Sequence, residues 1–316
     1  MVYGTESIFL LSVPYTRAAM HSKKMMIDPE ELESLVDLLD DPDMVVSEQV
    51  NQRLMSYGPE VVRSLHNRSE REPEPMRKYR IMARARQLND EFKLADFQEF
   101  VNRSPAPLSL FEGGWILSSL FEWTLTRERY ESLFYRCSEA YQAEHSDLRT
   151  GVENIRILNH AFYQRLKFTL YDVQLKDPQY ALLGEVLRTH GGNPFTLSYI
   201  YLAICQMAGL PVELLCFPGG FVPAYVERGK ILFYINVYRG GELFPQDRLD
   251  AFLKATGLQI DRSAFRRRDE SAMLTLYLES LLYIYAGKKD EKKSALIERA
   301  LACLGPERFL TIDAPE

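Results

Sequence analysis

Histidine and cysteine are scarce in this chain of 316 residues, at five and four. The cysteines, Cys137, Cys205, Cys216 and Cys303, stand far apart and form no CxxC pair, which argues against a zinc site and a disulfide framework. A reducing cytoplasm is the simpler setting for such a set. Positive charge is in the minority: 38 basic residues against 44 acidic ones leave a net charge of −6, so no global basic field exists to hold nucleic acid or an anionic membrane. Long apolar runs are missing too. Ile8–Pro14 is apolar but short and has no basic lead, so it fails as a signal peptide and cannot span a bilayer. Residues 1–26, with Met20, Met25 and Met26 among them, are expected to be a flexible terminus. Gly191-Gly192-Asn193 is no phosphate loop, since no strand precedes it and no GK[ST] follows. The four aspartates of DLLDDPD lack the spacing of a calcium loop and read as a helix break with caps. No cofactor and no metal are expected.

What is present is helix. Asp28 and Pro29 form a cap and first helical position, and Leu32, Leu35, Val36 and Leu39 follow at helical spacing. Residues 27–68 read as two short helices of HEAT-like type, stopped by Gly58-Pro59. Residues 76–186 read as a helical region, beginning with one long helix from Met76 to Val101 and interrupted at Ser104–Gly114 by a break with a tight turn. His66 and His145 fall on polar stretches and are expected to be solvated, like His21. His160 lies on an amphipathic helix and is expected to have a hydrogen-bonded packing role.

The character changes over residues 187–260. Asn193 caps, and Pro194 opens, a helix that is apolar nearly all round to Ala208, hence buried on most faces, and Gly209 closes it. Leu210–Phe217, Phe221–Val226 and Ile231–Tyr238 read as strands. One buried helix on a small antiparallel sheet is an α+β unit. The expected fold class is therefore α+β, mostly helical. A helix follows near residues 244–258, and Arg266–Arg268 reads as a charged surface face. Residues 268–306 resemble a single tetratricopeptide unit with degenerate positions, or an ordinary helical hairpin.

The order RTHGGNPFTLSYIYLAICQMAGLPVELLCFPGGFV, then INVYRGGELF, between a helical lead and a helical tail resembles the SirB-type regulator family. The resemblance covers roughly residues 28–305 and is strongest over 187–244. It implies a bacterial protein with a transglutaminase-like (papain-like) core. It also implies a Cys–His–Asp arrangement: thiol at the N-terminus of the buried helix, imidazole on the second strand, carboxylate on the third. Those positions fall here at Pro194, Gly220 and Asn236, and none carries the needed group. The resemblance thus implies a core without catalysis, acting on a protein or peptide partner as a binding and regulatory module. Asn193, Phe195, Phe217, Phe221, Tyr225 and Tyr238 are the candidates to line its cleft, with packing as the alternative role of these aromatics.

Two other functions are open to the sequence. A relocated nucleophile, Cys216 with His190 as base, would make a cysteine-dependent hydrolase or transamidase, whereas a buried cysteine more commonly serves as a small hydrophobe. Cys205 lies about 16 Å along the helix from Pro194, too far to serve its N-terminus. In the third reading the chain is a helical adaptor whose α+β core only adds stability.

Overall fold

The computed structural model describes residues 27–103, 107–146, 148–171, 177–217, 220–255 and 266–310. The expected flexible terminus, His21, Pro218 and Gly219 lie outside them. The protein is a mostly helical α+β structure with a small, largely antiparallel sheet. Among the described residues no helix is long and apolar enough to cross a membrane, and no group of three or more His, Cys, Asp or Glu could hold a metal ion.

The chain divides into two compact units, residues 1–88 and 89–316. In the first, Asp28 accepts from the Glu30 amide and starts α1 (Pro29–Asp37), and Asp43 accepts from the Val45 amide and starts α2 (Met44–Ser56). The aspartate cluster is a break with caps. A third helix, α3 (Glu60–Glu70), corrects the expectation of two helices. Pro59 sits in helical conformation at its N-cap, where a missing amide costs nothing, so the Gly-Pro pair opens a helix instead of only ending one. His66 is half-buried, with a ring nitrogen 3.5 Å from the Met82 sulfur. The long α4 (Pro75–Arg103) begins in this unit and continues into the second.

The second unit is built on helices α5 (Leu110–Phe121), α6 (Arg127–Gln142), α7 (Gly151–Asn159), α8 (Leu183–Thr189), α9 (Pro194–Met207) and α11 (Glu270–Gly287). Gly113 and Gly114 lie inside α5, not in a turn. A Cβ on Gly114 would stand 2.5 Å from the Tyr130 hydroxyl and 3.0 Å from the Tyr199 ring, so close helix packing, not a turn, demands the glycine. His145 is half-buried and is held by the Tyr141 hydroxyl at 2.7 Å. His160 is exposed beside Glu144, 3.7 Å away. The packing role expected of it belongs to its neighbour Asn159.

Among the described residues five strands form the main sheet: β3 (Val212–Phe217), β4 (Gly220–Glu227), β5 (Lys230–Asn236), β6 (Glu242–Phe244) and β7 (Arg266–Arg268), in the order β6-β5-β4-β3-β7, all antiparallel. The arginine run is thus an edge strand paired with β3, not a surface face alone. Alternation splits the side chains between two faces. Leu214, Cys216, Phe221, Tyr225, Phe233 and Ile235 join the main core with α9 and α11. Leu215, Phe217, Val222, Ala224 and Tyr234 pack with Leu249 and Leu253 of α10 (Gln246–Ala255). A two-residue parallel pair, β1 (Thr169–Leu170) with β2 (Gly191–Gly192), lies just before α9. The final hairpin is α11 with α12 (Glu291–Leu304), whose first turn is capped by Asp290.

Candidate functional site

The N-terminus of α9 is stitched to its surroundings by local chemistry. Asn193 is 1% exposed. Its side-chain oxygen accepts from the Thr196 amide at 2.9 Å, and its own amide donates to the Tyr180 carbonyl at 2.6 Å. The Thr196 hydroxyl donates to the Ala181 carbonyl at 2.8 Å. Pro194 fills the first helical position, where an N–H would have no helical partner. The two preceding glycines allow close approach: a Cβ on Gly191 would meet the Tyr171 ring at 2.6 Å, and one on Gly192 would meet Val186 at 2.7 Å.

From this end, three of the six aromatic and polar cleft candidates come together. Phe195 lies 5.9 Å from Phe221 between ring centroids, and Phe221 lies 6.1 Å from Tyr238, edge to face. Pro194 and Phe195 are half-buried and Tyr238 is 39% exposed, so the trio forms an aromatic notch open to solvent. Ser198, one turn along α9 from Phe195, is wholly buried. Among the described residues the Ser198 hydroxyl makes no well-formed hydrogen bond, yet it lies near enough to the Tyr238 phenol to oppose the upward push that burial of that end gives it. Asn193 caps the helix beneath and does not line the notch with its side-chain oxygen.

Phe217 and Tyr225 go elsewhere. Phe217 faces α10 on the other side of the sheet. Tyr225 shares the core face with Phe221 but is four residues further along β4, about 13 Å at strand spacing. There it stacks on Phe233 at 5.0 Å, with Gly151 so close that a Cβ would come within 2.5 Å of its ring.

The positions that the resemblance assigns to imidazole and carboxylate carry structural tasks. Gly220 pairs in register with Phe217. A Cβ there would come 2.7 Å from the Phe217 ring, on the face away from α9. Gly220→His is therefore expected to destabilise the protein by about 1–3 kcal/mol through overpacking. Denaturant unfolding checks this, and an unchanged midpoint would refute it. Asn236 accepts through its side-chain oxygen from the amides of Tyr238 and Arg239, both at 3.2 Å, and so shapes the turn that presents Tyr238.

Sequence reasoning missed the brace behind this turn, because each contact joins residues far apart in the chain. Past α7 the chain widens to i→i+5 hydrogen bonding over His160–Arg165. On that turn Tyr163 donates to the Val237 carbonyl at 2.8 Å. Tyr201 of α9 donates to the Asn159 side chain at 2.8 Å, and Asn159 donates to the Gly241 carbonyl at 2.6 Å. Gly241 has φ +75° and no room for a Cβ against Asn159, so its glycine is required twice over.

Cys216 and His190 stand in different surroundings. Cys216 is buried, and burial pushes its thiol up to about 12; its charged neighbours are Arg268, Glu307 and Glu279. His190 ends α8 at φ +62° with its ring on Phe168, 4.6 Å away. Burial lowers its pKa, with the Leu166 backbone opposing and Arg136 reinforcing. Cys137 and Cys205 are also raised by burial. These environments hold thiols, not thiolates.

Residues 126–278 match the family model of the Transglutaminase-like superfamily and form a transglutaminase-like domain. The UPF0162 protein of Xylella fastidiosa, in each of two strains, is 24% identical over 120 residues, covering 38% of this chain and 42% of the relative. F-box only protein 21 of Mus musculus is 25% identical over 134 residues, covering 42% of this chain and 20% of its own length. The chain therefore spans less than half the length of each of these relatives. No solved structure matches it.

Proposed function

We propose that the transglutaminase-like domain is SirB-type, non-catalytic, and acts in the cytoplasm as a protein- or peptide-binding regulatory module through the aromatic notch of Phe195, Phe221 and Tyr238. The observation that carries this reading is that Pro194, Gly220 and Asn236 each hold a structural task at the place where the resemblance puts a reactive group. Aromatic faces with one wet edge suit recognition of apolar and aromatic side chains, whose contacts need no proton transfer. The domain scaffold keeps the notch in place through the Asn159, Tyr163 and Tyr201 hydrogen bonds, so loss of chemistry need not loosen the site.

Two measurements test the reading. Peptides selected from a random library on the wild-type protein are expected to lose about thirtyfold or more in affinity on Tyr238→Ala, the size of a hot-spot loss, and Phe195→Ala should act alike. Equal affinity would sink the notch. Iodoacetamide at neutral pH is expected to label Cys216 slowly and independently of His190. Fast labelling that slows on His190→Ala would instead favour the reading as a cysteine-dependent hydrolase or transamidase.

A further inference from the structure

Beyond α12 the chain turns at Gly305, where φ is +104°, and returns across α11 and the β7 edge. Glu279, in the middle of α11, is 1% exposed. Its carboxylate accepts from two successive backbone amides of the returning segment: Phe309 at 3.1 and 3.2 Å and Leu310 at 3.0 Å. Arg268 of β7 forms an ion pair with Glu307, and its guanidinium lies 5.7 Å from the Phe309 ring centroid. Phe309 and Leu310 seat their side chains on the main core. Cys216 pairs in register with Arg266 of β7, the strand to which Glu307 is tied, and belongs to the same core cluster on which Phe309 and Leu310 pack, so release of the segment is expected to loosen the surroundings of its thiol.

A hydrophobic residue would fill the Glu279 position at lower cost, since a buried carboxylate is tolerated only where donors compensate it. The donors here belong to no fixed helix or sheet ladder. They are amides of an extended segment, a feature that every peptide possesses. The remaining contacts supply selectivity: a cation for an acidic side chain, and apolar seats for an aromatic residue two positions later and an aliphatic one after it. Among the described residues the Arg268 Nε is buried without a hydrogen-bond partner, which leaves one donor for a further acceptor that this segment does not provide.

We infer that the groove between α11 and β7 is a docking site for an extended peptide with an acidic residue two positions before an aromatic–aliphatic pair, and that the chain's own Glu307–Leu310 occupies it in cis. This site is separate from the notch, and its test uses none of the notch residues. A tethered occupant this close to its groove has an effective concentration in the millimolar range, so a competitor must match that concentration or meet a weakened tether.

Site-resolved alkylation of the cysteines in the full chain tests the inference, with the buried Cys137 and Cys205 as references for global unfolding. Leu310→Pro removes one amide that Glu279 binds, and Leu310→Ala keeps it. Losing one hydrogen bond to a charged group is expected to raise Cys216 labelling by about tenfold in the proline variant and by a much smaller factor in the alanine variant. A synthetic peptide GPERFL at millimolar concentration should restore protection to the proline variant, and GPARFL should not. Cys216 labelling as slow as that of Cys205 in Leu310→Pro, or no protection by GPERFL, would overturn the inference. If Leu310→Pro exposes all three buried cysteines, the surface change Glu307→Ala replaces it. It should raise Cys216 labelling alone, and no rise would again overturn the inference.

Discussion

Tyr199→Ala is expected to remove about 4–5 kcal/mol of stability, the upper range for deleting a fully buried aromatic side chain. Tyr199 has no exposed surface. Its ring packs at 5.3 Å from Tyr277 of α11, and its hydroxyl donates to the Leu110 carbonyl of α5 at 2.6 Å. It also bounds the space that Gly114 leaves open. One side chain thus ties α9 to two other helices, and the site depends on α9 being held. Tyr199→Phe keeps the ring and loses only the hydrogen bond, so about 1 kcal/mol is expected. Urea unfolding at constant m-value reads both variants. A loss below about 2 kcal/mol for the alanine variant would mean that α5 and α11 collapse into the cavity.

The second large effect is a pH dependence centred on Glu122. This residue ends α5, and its carboxylate accepts from the amides of Gly184 at 2.8 Å and Glu185 at 2.9 Å. It caps α8 from a distance, because Leu182 at the N-cap provides no side-chain hydrogen bond. Burial raises its pKa to about 7, against the two amides, which favour the charged form. The folded value lies above the ordinary 4.5. The stability it contributes is therefore full below pH 4.5, declines as pH rises toward 7, and is lost above that. The difference corresponds to at most about 3 kcal/mol. Glu122→Gln removes the titration at the cost of one acceptor. The stability gap between wild type and variant is expected to shift by about 2–3 kcal/mol in favour of the variant between pH 4.5 and pH 8. A gap independent of pH would show that the carboxylate titrates normally.

Legibility followed the range of the interactions. Asn193, Pro194 and Gly209 announced α9 because caps and breakers act within a few residues, and the all-round apolar pattern declared its burial. Strands β3, β4 and β5 were readable from apolar runs between turns. Strand β7 was not: three arginines carry no β signal, and only pairing with β3 makes them a strand. Gly113-Gly114 read as a turn because the sequence does not reveal Tyr130 and Tyr199 across the helix interface. At the site, the sequence named Phe195, Phe221 and Tyr238 together with Phe217 and Tyr225, and could not sort them. The sorting depends on strand alternation and on which face α10 covers.

The sequence by itself determined the α+β class and the buried helix with its capped N-terminus. Tertiary structure alone decided that Gly220 faces Phe217, that Asn236 shapes the turn under Tyr238, and that Glu279 and Glu122 bind amides from segments distant in the chain. The physical reason is the same in each case. Local propensity and periodicity are set by neighbours within a turn or two, whereas the choice between glycine and a side chain, or between a solvated and a buried carboxylate, is set by atoms that folding brings from elsewhere.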